Sequence, residues 1–260
     1  MGSATTQALA ATVAALDGAS VDLDTARELF AASRAVYSSS ALSGALADPA
    51  QPVEARVALV GRVFGSLSPT ATGLLTTVAQ QRWSSADDLV AGVEELAVRT
   101  AAKADGGDVE GELFQVSRLV AQNSDLELAL GSRLGDDTRK GELISTILDG
   151  HASEGTLLIV SSLVQQPGKR RVRSLLNRAL QLASAQRGRT VATVHTAVPL
   201  TDAQTDRLAA ALGKRYGGEV VLNTVVEPKV VGGIRVQVAD DVIDGSISTR
   251  LADLRQRLAG

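Results

Sequence analysis

The sequence predicts an α+β protein: a mainly α-helical bundle, duplicated along the chain, followed by a small C-terminal α/β module. Three observations carry this prediction. Apolar residues recur at spacings of three and four from Ala4 to about Gln186. The pattern of the first helical stretch returns about 84 residues later. From Thr190 onward the period shortens to two, in Val-rich runs.

Composition agrees. In 260 residues, 45% hydrophobic residues supply a core for one large or two modest domains, and an aromatic content of only 2% leaves Ala, Leu and Val to fill it. Small apolar side chains of this kind favour closely packed helices. The chain has no cysteine, so disulfides and thiolate metal sites are excluded and a reducing, cytoplasmic setting is expected. The segment Ala4 to Ala15 is interrupted by Thr5, Thr6, Gln7 and Thr12, which reads as an amphipathic helix rather than a leader. No uninterrupted apolar run reaches the ~20 residues that span a bilayer, so a membrane is expected to matter only through a partner.

Helix breaks fall at Asp17-Gly18, Asp48-Pro49 to Pro52, Ser66 to Pro69, Ala104 to Gly111, Gly135 to Thr138 and Pro167-Gly168, which divides the helical region into eight to eleven helices. The charged, Gly-rich run Lys103 to Gly111 marks an internal boundary. Leu29, Phe30, Ser33 and Arg34 match Leu113, Phe114, Ser117 and Arg118 at a separation of 84, and Arg56, Leu59, Val60 and Val63 match Lys140, Leu143, Ile144 and Ile147 at the same separation. Thr76 to Gln81 matches Ser161 to Gln166 at 85, and Leu89, Val90, Leu96 and Ala97 match Leu175, Leu176, Leu182 and Ala183 at 86. Chance agreement between amphipathic helices competes with duplication, but the matches at polar positions favour duplication. The predicted domains are a first bundle over 1–105, a related block over 106–188 and the α/β module over 189–260.

Within that module, Thr190 to Ala197 alternates as a strand and Pro199 closes it. Thr201 to Gln204 is a capping box opening a helix with Leu208, Ala209 and Leu212 on one face, stopped by Gly217-Gly218. Glu219 to Val226, Ile234 to Val238 and the short Val242-Ile243 are further strands. Ile247, Leu251, Leu254 and Leu258 define the buried stripe of a last helix, with Ser246 or Ser248 as its cap and Asp253 and Arg257 as an i,i+4 pair. Gly232-Gly233 permits a sharp turn ahead of a strand, and Asp244-Gly245 a tight turn into the last helix.

The run Val226-Glu227-Pro228-Lys229-Val230-Val231-Gly232-Gly233-Ile234-Arg235-Val236, then Asp244-Gly245-Ser246-Ile247, then Arg250-Leu251-Ala252-Asp253-Leu254, closely resembles the signature of the delta subunit of bacterial F-type ATP synthases, the relatives of the mitochondrial oligomycin-sensitivity-conferring protein. Thr196 to Gln204 resembles the family's strand-to-helix junction, so the specific likeness covers about seventy residues. Family members usually carry one helical bundle, and the extra length here resembles the enlarged actinobacterial form. The resemblance implies a non-catalytic peripheral-stalk subunit at the cytoplasmic face of the cell membrane. It would bind N-terminal segments of the alpha subunits through its helical part and the b subunit through its C-terminal part, so that proton-driven rotation is coupled to ATP synthesis. Pro228, Gly232, Gly233, Ile234, Asp244, Gly245, Ser246, Arg250, Leu251 and Leu254 are the motif residues carried over, in structural or interaction roles. A cytosolic helical-repeat adaptor unrelated to the synthase is the alternative suggested by the duplication alone.

No cofactor, metal or catalytic group is expected. Gly232-Gly233 lacks the spacing and the following helix of a phosphate cradle. Ser153, between Gly150 and Gly155, is out of register for a nucleophile elbow and reads as part of a helix-linking loop. His151 and His195 lie too far apart, without Cys, to suggest zinc. Asp240, Asp241 and Asp244 lack the order of a calcium loop and read as a solvated turn. Trp83 has no aromatic neighbour and is assigned to packing or an interface. The acid-free stretch from Gly155 to Thr201 holds Lys169, Arg170, Arg171, Arg173, Arg178, Arg187 and Arg189. With Val172, Leu175, Leu176, Ala179 and Ala183 buried, its arginines are expected on a mainly solvated helix face, with an acidic protein partner and then nucleic acid or lipid headgroups as lesser alternatives.

Overall fold

The computed structural model describes residues 2–132, 136–227, 232–238 and 241–245. By internal contacts the chain divides into two compact units, Met1–Ala183 and Ser184–Gly260.

The first unit is helical: α1 (Ser3–Asp17), α2 (Leu23–Ser38), α3 (Ser40–Ala47), α4 (Val53–Phe64), α5 (Pro69–Gln80), α6 (Ala86–Ala104), α7 (Val109–Gln122), α8 (Ser124–Gly131), α9 (Asp137–Leu148), α10 (Glu154–Gln165) and α11 (Val172–Gln186), whose end enters the second unit. Most starts are set by side-chain caps. Asp22, Ser39, Ser68, Ser85, Asp108, Asp136 and Ser153 each accept a backbone N–H of the following helix, satisfying donors that a helix cannot satisfy itself.

The repeat is visible in three dimensions. α3 and α8 have 8 residues each, and α4, α5, α9 and α10 have 12 each. Leu29, Leu46, Val60 and Phe64 are buried in one half, and their counterparts Leu113, Leu130, Ile144 and Leu148 are buried in the other. Even a polar bracket recurs. Glu28 on α2 accepts from the backbone N (3.0 Å) and the hydroxyl (2.5 Å) of Ser68, the cap of α5. Glu112 on α7 accepts from the N (2.9 Å) and the hydroxyl (2.7 Å) of Ser153, the cap of α10.

α6 joins the halves. Its ten buried residues, among them Leu89, Gly92, Glu95, Val98 and Ala101, are distributed around the whole helix, and it packs against α1, α2, α3 and α5 as well as α10. A helix buried on every side needs partners on every side. Lys103, in its last turn, donates to the carbonyls of Leu16 (2.7 Å), Asp17 (2.9 Å) and Ala19 (2.9 Å), closing the C-terminal end of α1.

The second unit holds a mixed four-stranded sheet of order β2-β1-β3-β4, made of β1 (Arg189–Thr196), β2 (Glu219–Val226), β3 (Ile234–Val238) and β4 (Asp241–Asp244), with α12 (Asp202–Tyr216) linking β1 to β2. β1 runs parallel to β2 and antiparallel to β3, which is antiparallel to β4. Thr201 and Gln204 form the capping box of α12, and Gly217 ends it at φ 76°, a left-handed conformation suited to glycine. Ala192, Val194, Leu212, Val220, Val236 and Val238 form this unit's core. The predicted last helix and the calcium-loop position Asp240 lie outside the described residues. No helix among the described residues is long and apolar enough to cross a membrane.

Candidate functional site

The motif residues that the structure describes converge on one end of the sheet. Gly232 and Gly233 have φ of 66° and 80° immediately before β3, values that a β-carbon strains. Ile234 opens β3 opposite Thr196, the last residue of β1, and packs on the module's core. Asp244 closes β4 opposite Arg235, and the backbone N of Gly245 donates to the Ile234 carbonyl at 2.9 Å. A β-carbon on Gly245 would stand 3.2 Å from that oxygen, so the pair approaches closely because glycine is there. Pro228, Ser246, Arg250, Leu251 and Leu254 lie outside the described residues.

Side chains of the motif run and of the Thr196 to Gln204 junction, together with His195, complete this end. Glu227 donates its backbone N to the Thr196 carbonyl (2.8 Å) and brings its carboxylate to 3.2 Å from His195 Nδ1. Val198 and Val226 expose 65% and 43% of their surface beside them. Two exposed valines around a rigid strand end, with one carboxylate and one imidazole, suit adhesion to another chain.

The basic stretch presents the solvated face that the sequence predicts, with Lys169, Arg170, Arg171, Arg173 and Arg178 exposed over a buried stripe, but three of its arginines are paired within the chain. Arg170 forms a two-pronged pair with Glu94 on α6 (2.5 and 2.8 Å), Arg178 donates to Glu95 on α6 (2.8 Å) and Arg173 to Glu127 on α8 (3.0 Å). The hydrogen bond from Arg170 to Glu94 raises the arginine's pKa further, against the opposing effect of burial. These pairs join segments distant in sequence, and no local pattern announces Glu94, Glu95 or Glu127 as partners.

The remaining singled-out residues have structural positions. Trp83 is buried against Gly92, its indole N–H donating to the Val78 carbonyl at 2.9 Å. Ser153 caps α10 and gives its hydroxyl hydrogen to Glu112. Gly150 turns the loop before it at φ 69°. Asp241 accepts from the Tyr216 hydroxyl at 2.5 Å, a bond that with burial raises the tyrosine's pKa. Among the described residues no group of three or more His, Cys, Asp or Glu is placed to hold a metal ion.

Comparison with known proteins points one way. The sequence profile of the family described as ATP synthase delta (OSCP) subunit matches residues 95–258, from within α6 through the second helical block and the sheet module. The ATP synthase subunit delta of Leifsonia xyli is 46% identical over 100% of both chains. That of Streptomyces avermitilis is 44% identical over 94% of this chain and 92% of its own, and that of Streptomyces griseus 40% identical over 100% of both. A chain in the cryo-EM structure of the Toxoplasma gondii mitochondrial ATP synthase hexamer aligns with a TM-score of 0.39 and 20% identity, covering 64% of this chain and 96% of that one, a likeness too slight to bear on the fold.

Proposed function

The chain belongs to the ATP synthase delta (OSCP) family, and from that premise we propose how its two units divide the work of a stator. It is a structural subunit of the F-type ATP synthase, in the peripheral stalk. The alternative of an adaptor unrelated to the synthase falls with the full-length match to delta subunits. In our reading the helical unit attaches to the catalytic head through N-terminal segments of alpha subunits, and the sheet module attaches to the b subunit. The head is thereby kept from turning with the rotor. The chain carries no active site of its own and sits at the cytoplasmic face of the cell membrane, held there by the complex.

The observation that carries this division is the separation of the chain into two compact units, the second of which gathers Gly232, Gly233, Ile234, Asp244 and Gly245 at one sheet end. A tether that resists torque needs a firm hold at two places and no bond-breaking chemistry. The helical blocks 1–105 and 106–188 act together on the head side, because α6 and the pairs of Glu94 and Glu95 with Arg170 and Arg178 hold them to each other.

Deletion of the gene tests the reading. Membranes from the deletion strain are expected to hydrolyse ATP without proton pumping and to lose ATP synthesis, with both restored by adding the purified chain. Fully coupled synthesis in its absence would overturn the proposal.

A further inference from the structure

The two blocks differ at one equivalent place. In the first, the buried Arg56 on α4 donates from Nη1 to the carbonyl of Gln81, the C-cap of α5, at 2.7 Å. The counterparts in the second block are Lys140 on α9, 5% exposed, and Gln166, the C-cap of α10. A lysine is shorter than an arginine and carries one nitrogen in place of a fork. Lys140 turns to Asp137 on its own helix, at 2.8 Å, and the Gln166 carbonyl accepts from Arg170 at 3.3 Å instead. Lys140 and Gln166 here line a cavity of about 300 Å³.

The lining of that cavity is rich in unused donors. Tyr37, near the end of α2, joins Gln165, Gln166 and Lys169 around it, and these four side chains make no hydrogen bond or ion pair with any described residue. Gln166 is only 7% exposed, and a buried amide without a partner is costly. Room for the Gln165 amide nitrogen is kept by Gly141 on α9, where a β-carbon would collide with it; the first block has Val57 at the equivalent position. Two ammonium groups face one carboxylate, that of Asp137, which is 62% exposed and engaged by Lys140. The cavity is therefore cationic and donor-rich. Donors arriving from α2, α9 and the end of α10 suit a tetrahedral oxyanion, which offers acceptors in every direction, better than a flat carboxylate. The volume lies at the small end of ligand sites, which run from about 300 to 1,000 Å³.

We propose that this cavity binds a phosphoryl oxyanion, free or as a phosphomonoester, with Lys140 and Lys169 supplying charge and Tyr37, Gln165 and Gln166 supplying hydrogen bonds. Tyr37 belongs to the first block and the other four to the second, so an occupant ties the blocks together. Binding requires neither the catalytic head nor the b subunit, and its outcome is separate from that of the stator reading.

The purified full-length chain is titrated calorimetrically with inorganic phosphate and with adenosine 5′-monophosphate, and its melting temperature is followed with each. Saturable binding at one site per chain is expected for at least one probe, with a rise in melting temperature. Tighter phosphate makes the free ion the ligand and tighter monophosphate makes it the ester; both uphold the site. Lys140→Arg restores the residue of the first block and keeps the charge. It is expected to reach the Gln166 carbonyl, fill the cavity and weaken binding roughly tenfold or more, with the melting temperature of the free protein maintained. Lys169→Ala is expected to weaken binding less, and Lys214→Ala, an exposed lysine on α12 outside the cavity, to titrate like the wild type. No saturable binding of either probe, wild-type binding by Lys140→Arg, or equal losses in Lys169→Ala and Lys214→Ala, the mark of diffuse charge, would overturn the proposal. Should Lys140→Arg fail to fold by circular dichroism, Lys169→Ala against Lys214→Ala decides, because both replace exposed side chains.

Discussion

Replacing Gly92 by alanine sets two effects against each other, and the structure decides the winner. In the middle of an ordinary helix the change stabilises by about 1 kcal/mol, since alanine loses less freedom on folding. At Gly92 the added β-carbon would press on Cη2 of Trp83 and stand 2.5 Å from Cζ3 and 3.1 Å from Cζ2. The ring is 3% exposed and held by its bond to Val78, so relief requires α6 and the ring to part. Overpacking of this kind costs roughly 1–3 kcal/mol, and with a rigid ring the upper half of that range applies. A net loss of about 1–2 kcal/mol follows, lowering the urea midpoint of the helical unit by roughly 0.5 M at ordinary denaturant slopes. Gly73 on α5 is the control, because a β-carbon there meets nothing within 4 Å, and Gly73→Ala should raise the midpoint. Trp83 is the only tryptophan, so its emission follows both unfolding and the displacement of its own ring. A Gly92→Ala protein as stable as Gly73→Ala, with unmoved emission, would refute the reasoning.

Three further outcomes are expected. Glu95→Ala should cost about 3 kcal/mol in denaturant unfolding, because it strands Arg99, whose side chain is only 13% exposed; Arg178→Ala should cost less than about 1, its side chain being 48% exposed, and equal losses would contradict this. The Asp22 carboxyl, held below its ordinary 3.8 mainly by the Thr25 hydroxyl and then by the Thr25 N–H, contributes stability that is fully present above that value and is lost as pH falls through its lowered folded pKa. The melting-temperature gap between wild type and Asp22→Ala should therefore close in acid, and a constant gap down to about pH 2 would count against the cap. Gly233→Val forces a branched side chain onto a residue at φ 80°, a strain of about 1–2 kcal/mol, and should weaken capture of the b subunit while binding to the head persists; equal loss at both ends in pull-downs would oppose the division of labour.

What the sequence disclosed was whatever local chemistry dictates. The limits of β2 and β3, the Thr201–Gln204 capping box and the glycine stop of α12 all follow from residues within a few positions of one another. Breaks without glycine or proline were not legible. α2 gives way to α3 at Ser39, whose extended backbone serves as the C-cap of one helix and the N-cap of the next, and nothing in Ser38-Ser39-Ser40 distinguishes the middle residue. The interruption before α6 is fixed by Trp83 folding back onto Gly92, a contact visible only once α6 is in place. Of the Gly-rich run Lys103 to Gly111 only residues 105–108 are a connection, since Ala104 ends α6 and Val109 opens α7, and its Asp105 accepts from Gly107 and from Gly155, 50 residues on. Pairing of the basic stretch with Glu94, Glu95 and Glu127 is likewise non-local. At the candidate site, glycine conformations could be read from residue type, whereas the meeting of Gly245 with Ile234 required the β3–β4 pairing.

The position of α6 also explains an arithmetic oddity of the chain. A free-standing copy of a six-helix bundle would need six new helices, yet the interval between equivalent residues is only 84 to 86 positions, which holds five. α6 is the helix both halves hold in common, packing on α1, α2, α3 and α5 of one and on α10 of the other. Such a unit is built as a ladder is, around a shared rung. A substitution on that rung loads both compartments at once, and neither can be excised intact.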